Sequence, residues 1–185
     1  MSYELRVKTM TEKIIIAGSG GQGIMLIGKI LAQAAMMEGK FVTWLPAYGA
    51  EVRGGTAHCM VVISAEEIGS PYIDKADTLI IMNNPSLSKF KARLNQDGLL
   101  IVNSSLVSLS ASAANIKKYP FTDIAIKLGN IKVANMAALG CYLRNKKTVA
   151  LKNVLAVIKE MASKGKKDVL KINQQALQNL LVADV

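Results

Sequence analysis

Two hydrophobic periodicities alternate in the first quarter of the chain. Residues 14–17 form a continuous apolar run, which is typical of a strand buried on both faces. Between residues 22 and 37 the apolar positions recur every three or four residues, as on one face of a helix. A second apolar run covers residues 41–45 and precedes Pro46, which we expect to end the strand. This order predicts a βαβ unit with parallel strands and a right-handed crossover.

The same alternation continues along the chain. Further strands are predicted over residues 58–64, 78–82 and 99–102, with an extended segment at 121–126. Helices are predicted over residues 86–93, 134–143, 149–161 and 168–181, with Ser86 and Thr148 as candidate N-caps. Asp97 and Gly98 form a turn signal. The pattern predicts one α/β domain over residues 1–185, with an open, largely parallel, Rossmann-like sheet, helices on both faces and a helical C-terminus.

Composition narrows the class of protein. The chain is 51% hydrophobic and 19% charged, which is typical of a globular domain. It contains no apolar run near the roughly 20 residues of a membrane span, and its N-terminus lacks the apolar core of a signal peptide. Cys59 and Cys141 lie far apart and show no metal-ligand spacing. We therefore expect a reduced, cytoplasmic protein with no metal site and no membrane partner.

Positive charge is concentrated at the C-terminal end. The net charge is +10, and residues 117–185 hold 13 of the 23 Lys and Arg residues but only 4 of the 13 acids. Such a surface suits an acidic partner, an acidic ligand or nucleic acid, and is also common as a solvated face. Lys outnumbers Arg and no aromatic stacking set is interleaved, so we do not expect nucleic acid to be the partner. The basic helical part covers residues 148–185.

The first glycine loop, residues 18–23, follows the first predicted strand and has the spacing G-x-G-x-x-G. Gly18, Gly20 and Gly23 supply the three glycines, and the helix that follows would aim its free N–H groups at the turn. A dinucleotide site also needs an acid at the end of the second strand, about 20 residues further on, and residues 43–46 contain none. The loop therefore predicts an anion site or, alternatively, a tight packing turn. Its candidate binding residues are Gly18, Gly20, Gly21, Gln22 and Gly23.

The second glycine loop, residues 46–58, follows the second strand and should lie at the same sheet edge. Arg53 can hold a carboxylate or phosphate in a two-point contact, and Gly54-Gly55 can form a nest of N–H groups. The alternative is a rigid loop in which Glu51 and Arg53 pair with each other or with another chain. The candidate binding residues are Tyr48, Glu51, Arg53, Gly54, Gly55 and Thr56, with no catalytic residue assigned.

Two long motifs in these loops resemble a known family. They are GSGGQG at residues 18–23 and TWLPAYGAEVRGG at residues 43–55, in the order found in the gamma subunit of 2-oxoacid:ferredoxin oxidoreductases. The segments at 69–87 and 128–140 are also similar, so the resemblance covers residues 13–143. Two long motifs in sequence are more specific than one glycine fingerprint.

The resemblance implies a subunit of a larger enzyme, inactive when isolated. The family oxidises a 2-oxoacid with coenzyme A and yields acyl-CoA, CO2 and reduced ferredoxin; 2-oxoglutarate is the preferred substrate class here. Alpha, beta and delta subunits would be the partners, with thiamine diphosphate, magnesium and iron–sulfur clusters bound on them. The gamma-type domain would support the active site, and its two glycine loops would contact coenzyme A or a neighbouring subunit. A free-standing nucleotide- or flavin-binding protein is the alternative.

Overall fold

The computed structural model describes residues 10–47, 56–163 and 167–182. The strands in these residues are β1 (Thr11–Ser19), β2 (Phe41–Ala47), β3 (Thr56–Ser64), β4 (Ala76–Ile81), β5 (Leu94–Asn103) and β6 (Ile116–Tyr119). The α-helices are α1 (Ile24–Met36), α2 (Asn84–Phe90), α3 (Phe121–Lys127), α4 (Ala134–Asn145), α5 (Leu151–Ser163) and α6 (Lys167–Val182). Short 3-10 helices cover Lys91–Arg93 and Ile131–Val133.

The strands form one six-stranded sheet in the order β2-β3-β1-β4-β5-β6. β1, β4, β5 and β6 are parallel to one another, whereas β3 is antiparallel to both β1 and β2. The predicted α/β fold with a largely parallel sheet is therefore confirmed. β1 and β2 run in the same direction, as predicted, but β3 lies between them and separates the two halves of the expected βαβ unit.

Both faces of the sheet are covered by apolar side chains. Alternate residues of β1 point to opposite sides: Ile14 and Ile16 pack with residues of α1 and α3–α6, whereas Ile15 and Ala17 pack with α2 and with loop residues. All four are fully buried, and burying a large aliphatic side chain stabilises the fold by about 1.5–3 kcal/mol. Burial on both faces explains why the strand appears in the sequence as a continuous apolar run.

Three expectations about where strands and turns lie are wrong. Pro46 lies inside β2, because β2 is an edge strand with one bonded neighbour and tolerates a missing donor. Asp97 and Gly98 lie inside β5, where the pairing of β5 with β4 shifts register. Residues 121–126 are helical and not extended as expected.

The start of α3 explains its helical conformation. The Asn103 side-chain oxygen accepts a hydrogen bond from the backbone N–H of Thr122 at 3.3 Å. The Ser105 hydroxyl accepts one from the backbone N–H of Asp123 at 3.2 Å. Two of the N–H groups that a helix leaves free at its start are thus satisfied from the end of β5 and the loop after it. Tertiary contacts of this kind override local propensity.

The start of α5 is likewise capped from a distant part of the chain. The Glu38 carboxylate accepts hydrogen bonds from the Ala150 backbone N–H at 2.6 Å and from the Asn153 side chain at 2.9 Å. Lys40 forms an ion pair with the other oxygen of Glu38 at 2.7 Å and also donates to the backbone oxygen of Thr148. Thr148 was the expected cap, whereas the side chain bonded to the Ala150 N–H belongs to Glu38.

Among the residues described, none of the helices has the length and apolar composition needed to cross a membrane.

Candidate functional site at the first glycine loop

The first glycine loop lies at the carboxyl ends of β1 and β4, where β1 ends at Ser19 and α1 begins at Ile24. Gly21 has φ 86° and Gly23 has φ 72°, which is the left-handed region that favours glycine. Gly23 is the N-cap of α1 and makes no side-chain cap. Glycines at these two positions let the chain reverse within four residues and start the helix directly at the sheet edge.

Gly18 serves packing. It is buried within β1, and a Cβ there would lie 2.5 Å from the Gln22 side-chain oxygen and 2.9 Å from the Met82 Cβ. No side chain larger than hydrogen fits at this position without moving these neighbours.

Gln22 ties the loop to the sheet. Its side-chain oxygen accepts from the Ser19 N–H at 2.7 Å, and its side-chain nitrogen donates to the Met82 carbonyl at 3.3 Å. Its own backbone N–H donates to the Ser19 carbonyl at 3.3 Å. The turn itself thus uses this N–H, and a contact of Gln22 with a ligand or a neighbouring subunit stays a prediction.

The backbone N–H groups of Gly20, Gly21 and Gly23 have no hydrogen-bond partner within the described part of the chain. Gly20 and Gly21 are exposed, and no atom lies within 4 Å of a Cβ built on either. These N–H groups lie just before the N-terminus of the 13-residue helix α1, whose dipole favours negative charge. This arrangement suits an anionic group.

A cavity of about 150 Å³ opens beside the loop. Its described lining residues are Gly21, Gln22, Met82, Leu106, Thr122, Ile131, Lys132 and Ala134. The walls are mainly apolar, and the polar groups are a glycine backbone, an amide, a hydroxyl and one lysine. A few polar groups on apolar walls are typical of a small-molecule site.

The Met82 carbonyl joins two walls of this cavity. It accepts from the Gln22 side chain at 3.3 Å and from the Asn103 side chain at 3.4 Å. Asn103 is fully buried at the end of β5, and its amide nitrogen also donates to the Thr122 hydroxyl at 2.9 Å. The glycine loop and the start of α3 are thus held in one fixed arrangement.

Asn135 supports the loop from α4. It is 3% exposed, and its side-chain nitrogen donates to the Gly23 carbonyl at 3.4 Å. Its side-chain oxygen is buried and has no partner in the described residues. A Cβ at Gly23 would overlap the Asn135 amide, so the two residues constrain each other.

Thr56 lies on the other side of the loop. It pairs with Ser19 across β1 and β3, and its hydroxyl accepts a hydrogen bond from Lys89 at 3.0 Å. Asn83, and not Ser86 as expected, is the N-cap of α2, and its side-chain nitrogen donates to the Ser19 hydroxyl at 2.5 Å. Lys89 and Lys132 therefore stand at the same sheet edge on opposite faces of the sheet, and both favour an anion.

His58 adds no positive charge there at neutral pH. Burial lowers its pKa from the usual 6.5, and the nearby charges of Lys89 and Arg93 lower the pKa further. Its ring packs against Phe90 with 4.7 Å between ring centroids. It is best explained as a packed, neutral side chain.

Most of the second glycine loop falls outside the described residues. This holds for Tyr48, Glu51, Arg53, Gly54 and Gly55, whose binding roles remain predictions. The flanking residues Ala47 and Thr56 lie at the edge of the sheet that carries the first loop, because Ser19 pairs with Thr56.

Several residues of the site escaped the sequence analysis. These are Asn83, Lys89, Asn103, Thr122, Lys132 and Asn135. A signal existed for Asn83 and Asn103, since both follow apolar runs at strand ends, where parallel sheets collect functional groups. The other four come from helices or turns whose position relative to the edge depends on packing.

The cysteines are structural. Burial raises the pKa of both Cys59 and Cys141 to about 12, so neither is an activated thiol. The part of the chain that the structure describes contains no group of three or more side chains suited to hold a metal ion.

Comparison with known proteins defines the class of protein. The family model for pyruvate ferredoxin/flavodoxin oxidoreductase matches residues 13–180, so the chain belongs to this oxidoreductase family. This confirms the resemblance carried by the two glycine motifs.

Two curated relatives show how the domain occurs in other proteins. The chain is 43% identical over 140 residues to ketoisovalerate oxidoreductase subunit VorA of Methanothermobacter thermautotrophicus, covering 76% of this chain but 28% of VorA. It is 36% identical over 167 residues to 2-oxoglutarate synthase subunit KorC of Methanocaldococcus jannaschii, covering 86% of this chain and 88% of KorC. The chain thus spans about a quarter of one relative and most of the other.

Solved structures share the fold. The gamma subunit of a keto/oxoacid ferredoxin oxidoreductase from Geobacter sulfurreducens aligns with a TM-score of 0.76 at 28% identity, covering 92% of this chain and 96% of that one. A 2-oxoglutarate:ferredoxin oxidoreductase chain from Magnetococcus marinus, solved with 2-oxoglutarate, coenzyme A and succinyl-CoA, aligns with a TM-score of 0.82 at 22% identity. That alignment covers 95% of this chain and 32% of the other, and it establishes the fold alone.

Proposed function

We propose that this chain is the gamma-type subunit of a cytoplasmic, multi-subunit 2-oxoacid:ferredoxin oxidoreductase. The assembled enzyme would decarboxylate a 2-oxoacid with coenzyme A and pass two electrons to ferredoxin. Thiamine diphosphate, magnesium and iron–sulfur clusters would be bound by alpha, beta and delta partners. Membership of the family and the near full-length match to KorC support this assignment.

The glycine loop would hold a phosphate group of coenzyme A. The observation that carries this proposal is the pair of exposed N–H groups of Gly20 and Gly21 before α1, which have no hydrogen-bond partner among the described residues. The apolar cavity beside them, with Lys132 in its wall, adds a surface for the uncharged part of such a ligand. Oriented N–H groups and nearby cations are the features by which proteins hold phosphate.

The substrate is proposed to be 2-oxoglutarate. The relatives named 2-oxoglutarate synthase subunits favour it, because they match along most of their length. A branched-chain 2-oxoacid is the second candidate, because the identity to the ketoisovalerate subunit is higher, at 43%. Values of kcat/KM for the two acids, measured on the purified complex, separate these candidates.

Calorimetric titration of the assembled complex with coenzyme A tests the loop assignment. Saturable binding is expected for the wild type, and Arg53→Ala, which tests the prediction made for the second loop, is expected to weaken it. Affinity and turnover that both stay unchanged in Arg53→Ala would remove Arg53 from the site. A wild-type complex that binds no coenzyme A would overturn the proposed function of the glycine loop.

A further inference from the structure

The hydrogen-bond pattern around Asn103 fixes the orientation of its amide. One end of the amide faces the backbone N–H of Thr122 at 3.3 Å, and the other faces the Met82 carbonyl at 3.4 Å. Only an oxygen can accept from the N–H, and only a nitrogen can donate to the carbonyl. The reversed amide would lose both bonds, so the orientation follows from its neighbours.

This orientation determines what the Thr122 hydroxyl can do. The Asn103 nitrogen lies 2.9 Å from the Thr122 hydroxyl oxygen and must donate to it. The hydroxyl oxygen therefore acts as an acceptor toward Asn103, and its own proton is directed elsewhere. Within the described residues no group accepts that proton.

Thr122 lines the glycine-loop cavity. The residue is 9% exposed and forms part of the wall with Gly21 and Lys132. A buried hydroxyl proton without an acceptor has an energetic cost that a bound acceptor would remove. The adjacent Asp123 is exposed and is not among the described residues that line the cavity.

We infer that Thr122 is a ligand-binding residue, with its hydroxyl proton turned by Asn103 toward a phosphoryl oxygen of the ligand in the glycine-loop cavity. The Gly21 N–H and the Lys132 ammonium complete a set of three donors around that oxygen-rich group. Asn103 acts as a positioning residue, because it touches Thr122 and the sheet. This inference rests on the proposed function, in which the ligand is coenzyme A.

The test compares three variants of the assembled complex. Thr122→Val keeps the shape and removes the hydroxyl, Thr122→Ser keeps the hydroxyl, and Ser105→Ala removes the other side-chain cap of α3. Ser105→Ala is the matched control, because it affects the same helix start and is not among the described lining residues.

The readouts are Tm, kcat, and the KM values for coenzyme A and for the 2-oxoacid. Thr122→Val is expected to raise the KM for coenzyme A by about tenfold to a hundredfold, the range for a lost hydrogen bond to a charged group. It should leave the KM for the 2-oxoacid unchanged. Thr122→Ser should stay within about threefold of the wild type, and Ser105→Ala should lower Tm without changing the KM for coenzyme A.

The phosphoryl oxygen can belong to the diphosphate or to the 3′-phosphate of coenzyme A. Kinetics with coenzyme A and with its form lacking the 3′-phosphate distinguish the two. A Thr122→Val effect that persists with the shortened ligand assigns the contact to the diphosphate, and one that disappears assigns it to the 3′-phosphate. If Thr122→Val changes Tm as Ser105→Ala does and leaves the KM for coenzyme A unchanged, Thr122 is only structural and the inference is overturned. A wild-type complex with no coenzyme A dependence would instead overturn the proposed function.

Discussion

Gly20 differs from its neighbours in the glycine loop in having free space around it. No atom lies within 4 Å of a Cβ built there, and its φ is not among the positive values of the loop. Gly18, by contrast, is enclosed by Gln22, Ile24 and Met82. Substitution of Gly18 therefore tests the packing of the fold, whereas substitution of Gly20 tests the proposed ligand binding.

Gly20→Val is expected to raise the KM for coenzyme A by about tenfold or more, because the side chain occupies the space in front of the N–H groups that have no partner in the described residues. Its Tm should stay close to that of the wild type. Enzyme kinetics on the assembled complex and thermal unfolding of the chain measure the two effects.

Gly69→Val is the matched control, because Gly69 also has open space and lies in the loop after β3, at the opposite edge of the sheet. Gly69→Val should change neither the KM for coenzyme A nor the Tm. Gly18→Val should lower Tm strongly, since the added atoms overlap packed side chains. An unchanged KM in Gly20→Val would mean that no ligand approaches the loop.

At this scale the sequence predicted the loop and its glycines, and anion binding by the loop stays a prediction. It could not show that the Gln22 amide is used by Ser19 and Met82, because Met82 lies 60 residues away. Asn103 and Thr122 were missed for the same reason. Their pairing depends on where α3 begins after β6.

Between elements, the contact of Glu38 with α5 joins the end of α1 to a helix more than 100 residues further on. Burial raises the pKa of the Glu38 carboxyl, but the hydrogen bonds from Lys40, Ala150 and Asn153, together with the charge of Lys40, lower it by more. The pKa of Glu38 therefore lies below the usual 4.5. A carboxylate at a helix N-terminus is also favoured by the helix dipole.

Glu38→Ala should lower the free energy of unfolding by about 1 kcal/mol at pH 7, the typical value of a lost helix cap. Because the folded-state pKa is lowered, this stabilisation is present above pH 4.5 and is lost as the pH falls through the folded-state pKa. Denaturant unfolding at several pH values should show the wild type and the variant converging in acid.

Glu67→Ala, at an exposed position, serves as the control and should stay within about 0.5 kcal/mol of the wild type at pH 7. A difference between the wild type and Glu38→Ala that does not change with pH would show that the charge of Glu38 is not the cause.

The contact of α4 with α6 depends on one glycine. A Cβ at Gly140 would overlap the Leu177 carbonyl oxygen, which belongs to the backbone and cannot move away alone. Ala176 and Leu177 are fully buried beside it. The two helices can approach this closely only because residue 140 has no side chain.

Gly140→Ala is expected to lower the free energy of unfolding by about 1–3 kcal/mol, the usual range for overpacking. Helix propensity alone would raise the free energy of unfolding by roughly 1 kcal/mol. The sign of the measured change therefore shows whether overpacking or helix propensity dominates. Gln175→Ala, at an exposed position on α6, should be neutral. A stabilised Gly140→Ala chain would contradict the described contact.

The sequence predicted most elements because burial on both faces gives strands that are apolar throughout. It did not predict β6, whose residues Ile116–Tyr119 include two lysines. It also could not place β3 between β1 and β2, since that position depends on pairing between strands rather than on periodicity. The helix at residues 121–127 was missed because its caps come from Asn103 and Ser105.

For the whole molecule, the parallel strands bring the first glycine loop, Asn83 and Asn103 to one edge of the sheet, where the antiparallel strand β3 begins at Thr56. This meeting of loops was predictable from the general rule for open α/β sheets. The contributions of Lys89 and Lys132 were not, because they depend on how α2 and the turn before α4 pack. The domain covers 88% of KorC and 28% of VorA, so it occurs both as nearly a whole subunit and as part of a longer chain.

The central claim is that this chain is a subunit of a 2-oxoacid:ferredoxin oxidoreductase. The most direct test is purification of the tagged chain from its native cells under non-denaturing conditions, followed by an assay of ferredoxin reduction with a panel of 2-oxoacids. Partner chains should co-purify, and reduction should require both coenzyme A and a 2-oxoacid, with 2-oxoglutarate giving the highest kcat/KM. A chain that purifies alone and supports no 2-oxoacid-dependent reduction would contradict the claim.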